Sequence, residues 1–188
     1  MQVCYLVPSL RSSGPTNQLV YLLEENSKRA VCELIYLSNK DVSVIHLNKL
    51  KTLNIKIIHM PFLVALKFLN NNKFDVVHSH GLLSDLISTI QSKSKSVLTS
   101  RNNPLKDYPS KFGYFKGSIM ALSHWVIQLL NKNVISCSHS LGSDLNKIGI
   151  RNNVIQNGTR VPLVNIDLHK SPSTILNGIS TGNLIPQK

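Results

Sequence analysis

Short apolar runs alternate with longer stretches of helical period along most of this chain. Residues 3–7 read as a buried strand, 8–15 as a loop and 16–29 as a helix in which Leu19, Leu22 and Leu23 recur at helical spacing. The unit then repeats. Strands are predicted at 32–37, 55–60, 75–80, 97–101, 134–138 and 154–156, and helices at 63–69, 82–92, 112–132 and 140–148. Residues 42–53 fit either element, with Val44, Leu47 and Leu50 favouring a helix, and 102–110 read as a loop. Repeated β-α units with short connections imply an α/β fold, a Rossmann-like parallel sheet with helices on both faces. Asn157-Gly158 is a turn signal that closes this domain at 1–158. Residues 159–173 carry two prolines and no clear period, so they read as a linker. Residues 174–188 read as the first strand and loop of a second, truncated domain.

The strand at 75–80 is the most informative. Val76 and Val77 are apolar, as a strand covered on both sides should be, yet His78, Ser79 and His80 occupy its downstream end. Ligands of open α/β sheets bind outside the carboxyl ends of the strands, so polar groups there suggest a site. Alternation puts His78 and His80 on one face, and the helix expected after Gly81 adds a positive helix end.

Composition narrows the classes. The chain has 188 residues, enough for one sizeable core, and its 42% hydrophobic content suits a globular protein. No stretch reaches the roughly 18 apolar residues that cross a bilayer, and Pro8 and Arg11 break any signal-peptide layout. Cys4, Cys32 and Cys137 fall in predicted strands without metal-ligand spacing, which points to reduced thiols in a cytoplasmic protein. A net charge of +12 and a pI near 9.8 attract phosphates on nucleic acid, lipid headgroups or nucleotides. The charges are scattered, and no basic helix, zinc finger or aromatic stacking signature accompanies them, which argues against nucleic acid. His78 and His80 lack a matching acidic or histidine set, so no metal site is expected.

Several pieces together carry a resemblance: Val3–Gln18, Asp75–Gly81, Leu98–Pro104 with Asp107-Tyr108, Ile135–Ser138, Val154–Gly158 and Ser180–Lys188. In order and spacing the chain resembles the N-terminal half of a family 4 glycosyltransferase, a retaining enzyme of the GT-B fold, most closely those that build surface polysaccharides. In that family two Rossmann-like domains face each other across a cleft. The first mostly holds the acceptor, and the second holds the nucleotide sugar.

The resemblance implies a nucleotide-diphosphate sugar as substrate, no further cofactor, and a glycan or lipid-linked acceptor. It places His80 beside the transferred sugar as the catalytic residue and Gly14 in the first β-α loop near the donor diphosphate. On the residues alone, His80 reads rather as a core histidine bonded to a carbonyl, and Ser12-Ser13-Gly14-Pro15 equally as a plain turn into a helix. Thr16, Arg101 and Asn102 are expected to border the acceptor cleft; Arg101 could instead pair with Asp107 on the surface. In the second domain Lys188 matches the family's phosphate-binding lysine, whereas Asn183 stands where arginine is common. Aromatics around 108–125 are expected mainly to pack on the sheet, with Lys111 and Lys116 left to touch an anionic membrane as a peripheral protein. Such a half should transfer sugar poorly alone. It represents the acceptor-side half of the enzyme, or a non-catalytic partner that needs a separate donor-binding chain.

Overall fold

The computed structural model describes residues 1–158. The expected linker at 159–173, and the second-domain residues with Asn183 and Lys188, lie outside the described residues. The elements run β1 (Gln2–Ser9), α1 (Gly14–Asn26), β2 (Val31–Ser38), α2 (Val44–Thr52), β3 (Lys56–His59), α3 (Phe62–Asn71) and β4 (Val76–Ser79). They continue with α4 (Leu82–Ile90), β5 (Lys95–Ser100), α5 (Pro104–Phe112), α6 (Tyr114–Leu130), β6 (Val134–Ser136), α7 (His139–Lys147) and β7 (Asn152–Val154). Seven strands form one parallel sheet in the order β3-β2-β1-β4-β5-β6-β7.

Alternation along β1 explains the two layers. Val3, Tyr5 and Val7 point to one face, where Leu19 and Leu23 of α1 and Leu50 of α2 cover them. Cys4 and Leu6 point to the other face and meet Ala65 and Leu69 of α3 and Ile87 of α4. Near the far edge Val134 packs with Leu141 and Leu145 of α7. All these core residues are buried, so β1 is apolar on both sides, as a central parallel strand must be.

Three expectations need correction. The segment 102–110 is not a loop but holds most of α5. Asn103 caps it by accepting the Leu105 amide, Pro104 opens it, and Asp107 and Lys111 suit its two ends. Pro109 hid the helix, because proline inside a helix gives up one bond and usually breaks it. The long helix then starts at Tyr114, after a turn in which Gly113 has φ 80°. The last strand is Asn152–Val154, polar and at the sheet edge, two residues before the expected apolar run. Asn152 fixes it: its amide donates to the Gly142 carbonyl, and its oxygen accepts from Ser136 Oγ. Cys137 follows β6 instead of lying in it, and donates to the Arg101 carbonyl.

The α6 helix differs from expectation on its outer side. Its inner face buries Gly117, Ala121, His124, Ile127 and Gln128, while Tyr114, Phe115, Ile119 and Leu122, with Phe112 at the end of α5, remain exposed instead of packing on the sheet. Gly117 lets α5 and α6 touch backbone to backbone. A Cβ there would lie 2.4 Å from the Tyr108 carbonyl oxygen and 2.5 Å from Pro109 Cα. Gly117→Ala should therefore force the helices apart at a cost of about 1–3 kcal/mol. Urea unfolding would measure it, and an unchanged midpoint would refute the contact.

Candidate functional site

Strand order reverses between β1 and β4, since β2 and β3 lie to one side and β5 to β7 to the other. At such a switch point the loops leaving the two central strands diverge and leave a crevice outside their carboxyl ends. A cleft of about 690 Å³ occupies that place. Its walls come from the β1–α1 loop, the ends of β2, β4 and β5, and the start of α5.

His80 follows β4 directly and lines the cleft. Its backbone N–H continues the ladder by donating to the Leu6 carbonyl. Gly81, with φ 94°, then turns the chain sharply into α4, a conformation most residues avoid. The residue is 7% exposed, and among the described residues neither ring nitrogen has a partner. The burial fits the reading of His80 as a core histidine, but the bond to a carbonyl that this reading expects is absent among the described residues. Burial, then the neighbouring His78 and the Arg101 guanidinium, push its pKa well below the usual histidine range. The ring is neutral at physiological pH and keeps both a donor and an acceptor for a ligand.

His78 orders this ring. The two imidazoles stack with centroids 4.7 Å apart, and Tyr5 flanks His78 at 5.4 Å. His78 Nε2 bonds Thr99 Oγ1 at 2.7 Å. Burial first, and the Arg101 charge second, depress its pKa to about 4.

Arg101 directly follows β5 and lines the same cleft. It does not pair with Asp107, which holds Lys111 at 3.0 Å instead. The guanidinium reaches Asn157 Oδ1 only at 3.5 Å, and its buried Nε has no hydrogen bond. Burial lowers its pKa. Unpaired cationic hydrogen-bond donors of this kind suit a carboxylate or phosphate. Asn102 is exposed at the cleft, and its carbonyl accepts from Ser100 Oγ.

The first β-α loop divides into two roles. Thr16 lines the cleft, but its hydroxyl donates to the Arg11 carbonyl and contacts Ser13 Oγ, so it mainly builds the loop. Ser13 caps α1 by accepting the Thr16 amide, leaving the helix end facing the cleft between Ser13 and Pro15. A Cβ at Gly14 would meet nothing within 4 Å, so folding does not demand glycine there. The position is simply open to an approaching group. Lys111 and Lys116 are exposed and do not line the cleft.

Three residues were not foreseen. Asp85 on α4 is fully buried, accepting Ser79 Oγ at 2.6 Å and bonding His124 Nε2 at 2.8 Å. His124 Nδ1 in turn bonds the Tyr108 hydroxyl at 2.9 Å, and Tyr108 and His124 both line the cleft. This chain ties the end of β4, next to His80, to α4, α5 and α6. Burial, followed by the charges of Asp85 and Asp107, raises the Tyr108 pKa, so the phenol keeps its proton. A carboxylate inside the apolar pattern of 82–90 was the available signal, because a buried charge requires partners. Among the described residues no cluster of three or more His, Cys, Asp or Glu could hold a metal ion.

No protein-family model and no curated protein matches the chain. Solved structures do. Anabaena HepE in complex with UDP and glucose aligns with a TM-score of 0.63 at 15% identity, over 85% of this chain and 45% of that one. The lipopolysaccharide outer core galactosyltransferase WaaB aligns at 0.57 and 16% identity, over 87% and 48%. UGT2 of Phytolacca americana, complexed with UDP-2-fluoro-glucose and pterostilbene, aligns at 0.53 and 10% identity, over 73% and 48%. The architecture is a Rossmann-like parallel sheet that matches the fold of the N-terminal half of GT-B structures, and the chain spans slightly under half the length of these neighbours.

The neutral histidines imply a pH dependence of stability. His78 titrates near 4 when folded and near 6.5 when unfolded, so between those values the unfolded chain binds a proton that the fold refuses. Stability should be complete above about pH 6.5 and fall as pH drops to about 4, by up to about 3 kcal/mol at about 1.4 kcal/mol per unit. His80 adds a loss of the same sign. Urea midpoints across that range check this, and His78→Gln should flatten the slope.

Proposed function

We propose that this chain is the acceptor-side half of a family 4 glycosyltransferase that moves a sugar from a nucleotide-sugar donor to a glycan or lipid-linked acceptor in surface polysaccharide synthesis. The supporting observation is His80: a buried, neutral imidazole with both ring nitrogens unpartnered, at the switch point of a GT-B half. Solved neighbours of this fold bind UDP and UDP-glucose, and WaaB is a lipopolysaccharide galactosyltransferase.

In this reading the donor diphosphate approaches the open backbone at Gly14 and the amino end of α1, where free N–H groups and the helix dipole favour negative charge. His80 hydrogen-bonds the transferred sugar and steadies charge as the diphosphate leaves. A neutral ring does this without introducing a buried charge. Arg101 and Asn102 lie where the acceptor would enter, and Arg101 can hold an acidic group on it. Asp85, Ser79 and His124 brace the strand end that aims His80.

Groups must be fixed on both sides of the breaking bond for efficient transfer, and the described residues supply one side. The 188-residue chain alone should therefore show negligible transfer from UDP-glucose. Robust turnover without any donor-binding partner would refute that division of labour. Joined to a donor-binding half, His80→Ala should lower kcat by about 100-fold or more while nucleotide affinity changes about twofold at most. Unchanged turnover would remove His80 from the mechanism.

A further inference from the structure

A hydrogen-bonded chain of side chains has a direction, and the one behind the cleft runs from Tyr108 to Asp85. Asp85 is fully buried and its carboxylate only accepts, taking Ser79 Oγ–H at 2.6 Å and His124 Nε2–H at 2.8 Å. A neutral imidazole has one N–H, so Nδ1 is left as an acceptor and draws the Tyr108 hydroxyl proton across 2.9 Å. The backbone N–H of Leu82, which opens α4 just after the His80–Gly81 turn, also donates to the phenol oxygen. Among the described residues nothing else bonds that oxygen, so one lone pair remains, and Tyr108 and His124 both line the cleft.

An apolar trio of similar volume would hold α4, α5 and α6 together without burying a charge. It would not present a phenol oxygen whose own proton is already committed. We propose that Tyr108 is a specificity-determining residue: its oxygen accepts a hydrogen bond from a sugar hydroxyl of the acceptor, and His124 and Asp85 are positioning residues that fix the direction of the phenol proton. The identity of the ligand rests on the sugar-transfer reading; the direction of the network does not. Such a group admits a hydroxyl and turns away a carbonyl, carboxylate or phosphate oxygen, which would set one acceptor against another. Arg101, on the same cleft, has the opposite preference, since a guanidinium only donates. An acidic acceptor is thereby oriented, its anionic group toward Arg101 and a neutral hydroxyl toward Tyr108. Gly117 sets the spacing: the close approach of α6 to the Tyr108 backbone brings His124, about two turns further along the same buried face, to the phenol.

The test uses the 188-residue chain with methyl glucoside, galactoside and mannoside as probes, each beside its monodeoxy forms, in ligand-observed NMR titrations. At least one glycoside should bind, and removing one of its hydroxyls should weaken it about fivefold or more. Tyr108→Phe keeps the ring against Phe112 and His124 and should abolish that preference. Histidine ring nitrogen shifts, assigned with His124→Gln, should show the Nε2–H tautomer at His124. Asp85→Asn turns an N–H toward Nε2 and reverses the chain: the ring proton moves to Nδ1, the phenol proton is freed, and the hydroxyl preference is lost with Tyr108 still in place. A purely structural brace would move neither readout. Trp125, whose indole N–H donates to the Ile148 carbonyl, reports through its emission that each variant is folded. Should Asp85→Asn not fold, Tyr108→Phe decides alone. A hydroxyl preference that depends on Tyr108, in a chain that transfers no sugar even when joined to a donor-binding half, would support this role and sink the sugar-transfer reading. No glycoside binding, a preference unchanged in Tyr108→Phe, or an Nδ1–H tautomer in the unaltered chain would each overturn the proposal.

Discussion

The β1 strand is paired with β2 on one edge and β4 on the other, and its side chains are buried on both faces. A parallel strand so enclosed leaves little freedom to its neighbours: connections must cross the sheet with helices, and right-handed crossovers put α1 and α2 on one face and α3 and α4 on the other. Because the chain leaves β1 in one direction and returns through β4 in the other, the loops after these two strands separate. The cleft is a consequence of that separation. Every group assigned to it, from the amino end of α1 to His80 and Arg101, stands at a strand end or helix start that the topology delivers.

Polar burial is handled in two opposite ways around the cleft. Asp85 sits at full burial with both oxygens occupied, by Ser79 and His124, so its desolvation cost is offset by short hydrogen bonds. His80 is nearly as buried and has no partner on either nitrogen. The first arrangement rigidifies a frame. The second leaves hydrogen-bonding capacity unspent, which is tolerable for a neutral imidazole and informative at a binding site. Neutrality persists because burial first, and then the Arg101 cation beside the stacked pair, disfavour a positive charge on His78 and His80.

Much of the frame could be read from residue order. The strand expectations at 3–7, 32–37 and 75–80 fall inside or beside β1, β2 and β4, because β-branched and aliphatic runs bounded by polar loops have few other uses. Helix α5 was missed because Pro109 outweighed correct end signals at Asn103, Pro104 and Asp107. Strand β7 was displaced because an edge strand needs hydrogen bonds more than apolar side chains, and Asn152 supplies them. Thr16 lines the cleft, but its hydroxyl is committed to the loop. His124 gave no signal, being a single polar residue within an apolar stretch, and for both His124 and Tyr108 the meaning lies in a distant carboxylate.

By itself the order of residues determined the alternation of strands and helices, the parallel α/β class, and the concentration of polar groups after Val77, since these follow from local period and composition. Tertiary structure alone decided that, among the described residues, His80 lacks a partner, Arg101 avoids Asp107, and one side of α6 is exposed. Each of those facts depends on which atoms from distant segments come within hydrogen-bond or van der Waals reach, and local pattern carries no information about such distances.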